Sequence, residues 1–139
     1  MTDPISATMK IAASGLQAQG MRVRMVAENL ANSNTTAAGP AGDPYARKTI
    51  TFESRFDRHL GADVVAIKRI GVDQSPFTRI YDPSHPAADD DGYIQTPNVN
   101  PLIEMADMRE ATRSYDANLN LIEQARSMAT STLALLEGR

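Results

Sequence analysis

Residues 102–136 read LIEMADMREATRSYDANLNLIEQARSMATSTLALL, a run of helix formers with no Gly or Pro. At ~1.5 Å per residue this stretch suffices for a helix of about 50 Å. Gly138 follows as a natural stop. Within the run, Met105, Met108, Thr112, Tyr115, Leu119, Ile122, Arg126, Ala129, Leu133 and Leu136 succeed one another at alternating gaps of three and four, with Thr112 and Arg126 as interruptions. A mean gap of about 3.5 residues keeps an apolar seam in register along a partner helix. The other end repeats the pattern with Ile5, Met9, Ala12, Leu16, Gln19, Val23, Val26 and Leu30, of which only Gln19 is polar. Thr2 or Asp3 can cap this first helix, and Pro4 falls in its first turn, where a missing N–H costs little. The two spacings predict a mainly α protein whose long N- and C-terminal helices pair as an α-helical coiled coil around a short β-rich middle.

The middle holds most of the Gly and Pro residues. Asn32, Ser33, Asn34, Thr35 and Thr36, followed by Gly39, Pro40, Gly42 and Pro44, end the first helix, because these side chains compete for backbone hydrogen bonds and the glycines and prolines cannot continue it. Arg47–Glu53 then alternates Thr49, Thr51 and Glu53 against Ile50 and Phe52, the pattern of a half-buried strand. Ala62–Val72 and Phe77–Tyr81 supply two more short strands, and a turn-rich connector from Asp82 to Gly92 leads to Pro97 and Pro101. The expected organisation is an N-terminal helix over 1–35, a β-rich middle and connector over 36–98, and a C-terminal helix over 99–139.

Two glycines, Gly15 and Gly20, interrupt the first helix, each at a cost of about 0.8–1 kcal/mol relative to Ala. They are either weak points of a surface helix or places where a second backbone comes close. Met21 and Met25 in the first helix and Leu121, Ala125 and Met128 in the last lie off the seams. Contacts on more than one side are therefore expected, first between the ends and then with neighbouring subunits.

Composition removes several function classes. A net charge of −3 with scattered basic residues gives no field for nucleic acid. No stretch approaches the roughly 20 apolar residues of a membrane span, so no direct membrane insertion is expected. The first twenty residues carry Lys10 as their one basic residue and no apolar core, so a Sec signal is not expected. With no cysteine there is no disulfide or thiolate chemistry. Asp89, Asp91, Gly92 and Ile94 fit four positions of a calcium loop, but Ala87 and Asn98 stand where its first carboxylate and closing Glu belong. His59 and His85 lack metal-ligand spacing, and no nucleophile has a partner. No cofactor and no metal are expected, and the chain does not read as an enzyme. The rival readings are a cytoplasmic helical adaptor or chaperone-like binding module, and a small hydrolase using Asp89–Asp91 with His85.

Ala13-Ser14-Gly15-Leu16, Arg24, Ala27 and the ending Asn29-Leu30-Ala31-Asn32-Ser33-Asn34-Thr35 resemble the N-terminal motif of the bacterial flagellar rod and hook axial proteins. Tyr81-Asp82-Pro83, Ala88-Asp89, Gly92-Tyr93, Pro97-Asn98-Val99 and Arg113-Ser114-Tyr115-Asp116-Ala117-Asn118 look like the proximal-rod members of that family in particular. Glu28 and the triple aspartate depart from the pattern without touching the apolar seams. The resemblance implies a structural subunit of the basal-body rod, exported by the flagellar type III apparatus and assembled helically with copies of itself and other rod proteins for motility. It implies an assembly interface on Ile5, Met9, Leu16, Val23, Val26 and Leu30 of the first helix and on Tyr115, Asn118, Leu119, Ile122, Ala129, Leu133 and Leu136 of the last. Asn29, Asn32 and Asn34 fix the first helix's exit in this reading, with simple capping as their default role.

Overall fold

The computed structural model describes residues 4–40, 42–136 and 138. Its elements run α1 (Pro4–Ala31), β1 (Lys48–Asp57), β2 (Ala62–Val72), β3 (Thr78–Tyr81), β4 (Tyr93–Thr96) and α2 (Pro101–Leu136). With helices of 28 and 36 residues, the fold is mainly helical with a small β part. The caps foreseen at Thr2 or Asp3 lie outside the described residues.

Local chemistry sets the helix boundaries. Asn100 caps α2, its Oδ1 accepting the Leu102 N–H at 3.0 Å, and Pro101 takes the first helical position. At the end of α1, Asn32 Nδ2 donates to the Glu28 carbonyl at 2.9 Å and Asn32 Oδ1 accepts from the Thr35 hydroxyl at 3.2 Å, so the chain leaves the helix with its last groups partnered. Gly138, at φ 70°, adopts the left-handed conformation common just past a helix end.

The strands form two separate two-stranded sheets, β1-β2 and β3-β4. β1 continues to Asp57, past the expected end at Glu53, although Thr51 and Ser54–Phe56 are exposed. Its turn explains the added length. Asp57 Oδ1 accepts the N–H groups of His59 and Leu60 at 2.8 and 3.3 Å, and Gly61 at φ 66° donates to the Asp57 carbonyl at 2.8 Å. The second sheet pairs Thr78 with Thr96, Arg79 with Gln95, Ile80 with Ile94 and Tyr81 with Tyr93, antiparallel. β4 was not among the expected strands. It lies in a segment dominated by Asp, Pro and Gly, and its signal is the short run Tyr93-Ile94-Gln95-Thr96 after Gly92.

The chain divides into two compact units. The first gathers the chain up to Val23, Thr51–Arg69 and the chain from Arg109 onward; the second gathers Arg24–Ile50 and Ile70–Met108. In the first, Pro4, Ile5 and Thr8 face Leu121, Gln124, Ala125 and Met128 across a shallow groove. Gly15 abuts Asn118, Gly20 lies under the Tyr115 ring, and Arg22 lies 4.0 Å from Glu110. One number rises as the other falls, so the helical segments run antiparallel there. The buried residues of this unit are small: Ala12, Gly15, Ala18, Ala111 and Ala125. In the second unit the buried set is Met25, Val26, Pro44, Ala87, Gly92, Ile94 and Pro97 with two polar residues, Asn29 and Glu104.

Candidate functional site

The second unit is built on polar groups taken out of water. Asn29 is 1% exposed and Glu104 0%. The Asn29 carboxamide uses all of its hydrogen-bonding capacity. Nδ2 donates to the Lys48 carbonyl at 2.9 Å and to Glu104 Oε2 at 3.0 Å, while Oδ1 accepts from the Lys48 N–H at 2.9 Å and the Tyr45 hydroxyl at 2.8 Å. Arg47 Nε meets the other carboxylate oxygen of Glu104 at 2.6 Å, and its guanidinium reaches Asp107 at 3.6 Å and Asp73 at 3.8 Å. Its own N–H donates to Asn98 Oδ1 at 2.8 Å, and Asn98 Nδ2 returns to the Asp73 and Ser75 carbonyls at 3.2 and 3.0 Å. Lys48 Nζ pairs with Glu28.

Neighbouring titrations carry the mark of this packing. Burial, then the nearby negative charge of Glu28, pushes the Tyr45 hydroxyl above its ordinary pKa. The hydrogen bond to Glu28 raises that of Lys48. Hydrogen bonds from Ser75 hold Asp73 below the usual carboxylate value. The buried Glu104 carboxylate is tolerated because each of its oxygens has a partner, Asn29 on one and the partly exposed Arg47 on the other.

These contacts give the Asn-rich ending two distinct jobs. Asn32 fixes the helix exit, whereas Asn29 bonds Lys48 backbone and Glu104, 19 and 75 residues away in sequence. Asn34 is exposed. Sequence reasoning missed Glu104 and Arg47, because a lone Glu in a helix's first turns and an Arg before a strand look like solvated charges.

In the first unit, the positions that pack within the chain on α2 are Ala111, Ser114, Tyr115, Asn118, Ile122, Ala125 and Ala129. Tyr115, Ile122 and Ala129 belong to the expected seam, while Asn118 and Ala125 precede its Leu119 and Arg126 by one residue. Asn118 Nδ2 donates to the Ser114 carbonyl at 2.9 Å and its side chain fills the space beside Gly15, where an added Cβ would sit 2.9 Å from its Oδ1. Gly15 is therefore a close-approach site. On α1, Ile5, Met9, Leu16 and Val23 are half-buried, and in the second unit Val26 is buried and Leu30 half-buried. Leu119, Leu133 and Leu136 are exposed.

The exposed and half-buried stripes share one side. Met9, Leu16 and Val23 lie next to the packed positions Ile5, Ala12 and Gln19, displaced in the same rotational sense as Leu119 and Leu133 are from the packed positions of α2. In an antiparallel pair, stripes turned the same way from each seam emerge on one side.

The connector between β3 and β4 is structural. Asp89 Oδ1 accepts the N–H groups of Tyr93 and Asp91 at 2.8 and 3.1 Å, and Oδ2 pairs with Arg79, whose guanidinium lies 4.8 Å from the Tyr93 ring centre. The Tyr93 N–H foremost, with Arg79 assisting, keeps Asp89 below the usual carboxylate value. Gly92, at φ 79°, fits beneath Tyr81 and Pro83, where a Cβ would lie 2.9 Å from the ring. His85 Nδ1 accepts the Ala87 N–H at 3.1 Å, the role of a turn residue. Among the described residues, no group of three or more His, Cys, Asp or Glu is placed to hold a metal, and no helix is long and apolar enough to cross a membrane.

The two helical ends of the chain are the parts that family models match. The family model described as Flagella basal body rod protein matches residues 9–38, and that described as Flagellar basal body rod FlgEFG protein C-terminal matches residues 90–135. The class so defined is the structural protein of the flagellar axis. The chain is 54% identical to the flagellar basal-body rod protein FlgC of Agrobacterium fabrum, covering 97% of each chain. It is 36% identical to that of Borreliella burgdorferi, over 94% of this chain and 97% of the relative, and 35% identical to that of Bacillus subtilis, over 92% and 95%. The chain belongs to the FlgC family of flagellar basal-body rod proteins, structural subunits rather than enzymes.

Proposed function

We propose that this subunit of the proximal rod assembles helically through its terminal helices, which pair as a coiled coil, and that export through the flagellar type III apparatus without a Sec signal delivers it to the rod. The segments 1–35 and 99–139 act as axial helices and 36–98 as an outer spacer. Met9, Leu16, Val23, Leu119, Leu133 and Leu136 offer the surface to a neighbouring subunit, Ile5, Val26, Leu30, Tyr115, Asn118, Ile122 and Ala129 hold the helices within the chain, and Asn32 sets the helix exit.

The observation that carries this reading is the shared side of the helix pair in the first unit, toward which the half-buried Met9, Leu16 and Val23 and the exposed Leu119 are turned. The fully buried residues of this unit are alanine and glycine, and several of the largest aliphatic side chains are left to water. Such a stripe is stabilised when another subunit covers it, at about 25 cal/mol per Å² of apolar surface removed from water. Contacts of that kind, repeated by rotation and rise, do not close and propagate as a tube.

The test is Leu119→Asp in a motile strain. Export of the variant stays measurable in a secretion assay, while completed rods and swimming in soft agar are lost. Normal swimming would sink the proposal.

A further inference from the structure

The connector from Asp82 to Gly92 is closed by side chains that accept main-chain N–H groups. Asp82 Oδ1 takes the Ser84 N–H at 3.2 Å, Asp89 Oδ1 takes those of Tyr93 and Asp91, and His85 Nδ1 takes that of Ala87 at 3.1 Å. The imidazole is the odd member of this set. Both carboxylates are held below their usual value and keep accepting well below neutral pH. A ring nitrogen accepts only while it carries no proton, and histidine is the side chain whose ordinary titration falls between about pH 5 and 8. The bond to Ala87 therefore requires a neutral ring with its proton on Nε2.

Ala87 has no ready substitute for this acceptor. It is 8% exposed, so its N–H meets little water once the ring lets go. The half-buried His85, by contrast, has a second seat. The Ser84 hydrogen bonds foremost, and then the nearby His85, hold the Asp82 carboxyl low. Both Ser84 bonds, from the N–H and from the hydroxyl at 2.7 Å, fall on Oδ1, and among the described residues Asp82 Oδ2 has no donor. The other charged and titratable groups of the connector and its two strands are engaged or turned to water. Arg79 of β3 is held on Asp89 and over the Tyr93 ring of β4, Tyr81 stands edge-on to Tyr93 at 5.2 Å, and Asp90 and Asp91 are exposed.

We propose that His85 is a proton-operated latch on this connector: neutral, it holds the Ala87 N–H, and protonated, it releases that group and turns to the open oxygen of Asp82. The strand pairing is spared. The Asp82 N–H donates to the Gly92 carbonyl at 3.0 Å and the Asp89 N–H to the Tyr93 carbonyl at 2.8 Å, and both bonds lie outside the Ser84–Ala88 turn. Acidification thus opens the turn and leaves β3 and β4 in place. Both settings lie within one chain and need no partner.

NMR of the full-length ¹⁵N-labelled chain reads the latch directly. At about pH 8 the His85 ring should carry its proton on Nε2, and on titration to about pH 5 the Ala87 amide should lose protection from exchange by about tenfold, the scale of one lost hydrogen bond, while the amides of Ile80 and Ile94 keep theirs. His85→Asn supplies an acceptor that does not titrate and should keep Ala87 protected throughout; His85→Lys supplies none and should leave it unprotected throughout. Asp82→Asn should move the transition to lower pH, and an unmoved transition overturns the second seat. A proton on Nδ1 at about pH 8, Ala87 protection that does not change with pH, or an equal loss in His85→Asn overturns the latch.

Discussion

The two units hold together by opposite means. The first is packed by small side chains, its buried residues being Ala12, Gly15, Ala18, Ala111 and Ala125, with Gly15 against Asn118 where the helices meet. The second has few buried apolar residues and relies on a carboxamide, a carboxylate and a guanidinium that satisfy one another. A small-residue contact tolerates gradual loosening, because each methyl contributes little. A buried polar network fails abruptly, because every member removed leaves others desolvated without a partner.

That contrast gives a ranked set of expectations. Arg47→Met leaves the Glu104 carboxylate buried beside no cation and should cost about 3–5 kcal/mol in chemical denaturation, and the pair replacement Arg47→Met/Glu104→Leu should recover part of it. An unchanged midpoint for the single variant would show that the polar core is dispensable. Asn29→Ala removes four hydrogen bonds and should cost about 1–3 kcal/mol by the same measurement.

The glycines sharpen the first unit's side of the comparison. Gly20→Ala meets the Tyr115 ring at an ordinary 3.6 Å and should stabilise by up to about 1 kcal/mol through helix propensity. Gly15→Ala must displace Asn118 and should destabilise or at best break even. Equal thermal shifts for the two would remove the close-approach argument.

The smallest effect is a pH dependence. Asp73 and Asp89 titrate below the ordinary carboxylate value in the folded chain, so at low pH the unfolded state binds more protons. Their contribution is present above the ordinary value and is lost as pH falls through the folded one. Asp89→Asn should flatten the acid limb of the stability curve, and an unaltered limb would remove Asp89 from the account.

Both helices were legible because heptad spacing, a proline at the first helical position and an asparagine-rich exit all agree. The β2 boundaries follow from its branched residues, but β4 hid among turn formers and the end of β1 depended on its hairpin. The polar core was illegible for a physical reason. Glu104 and Arg47 stand 57 residues apart, and nothing local distinguishes a charge that will meet a partner from one that will meet water. The large side chains outline a seam that is offset at alternate positions from the one packed inside the chain, because van der Waals size marks what is worth burying and not which molecule buries it.

The carboxamide of Asn29 occupies both the donor and the acceptor of Lys48, just where β1 begins. A helix side chain thereby imitates an adjoining strand and closes the start of a ribbon edge that would otherwise template another chain. That single amide leaves Lys48 no main-chain donor or acceptor to offer another chain.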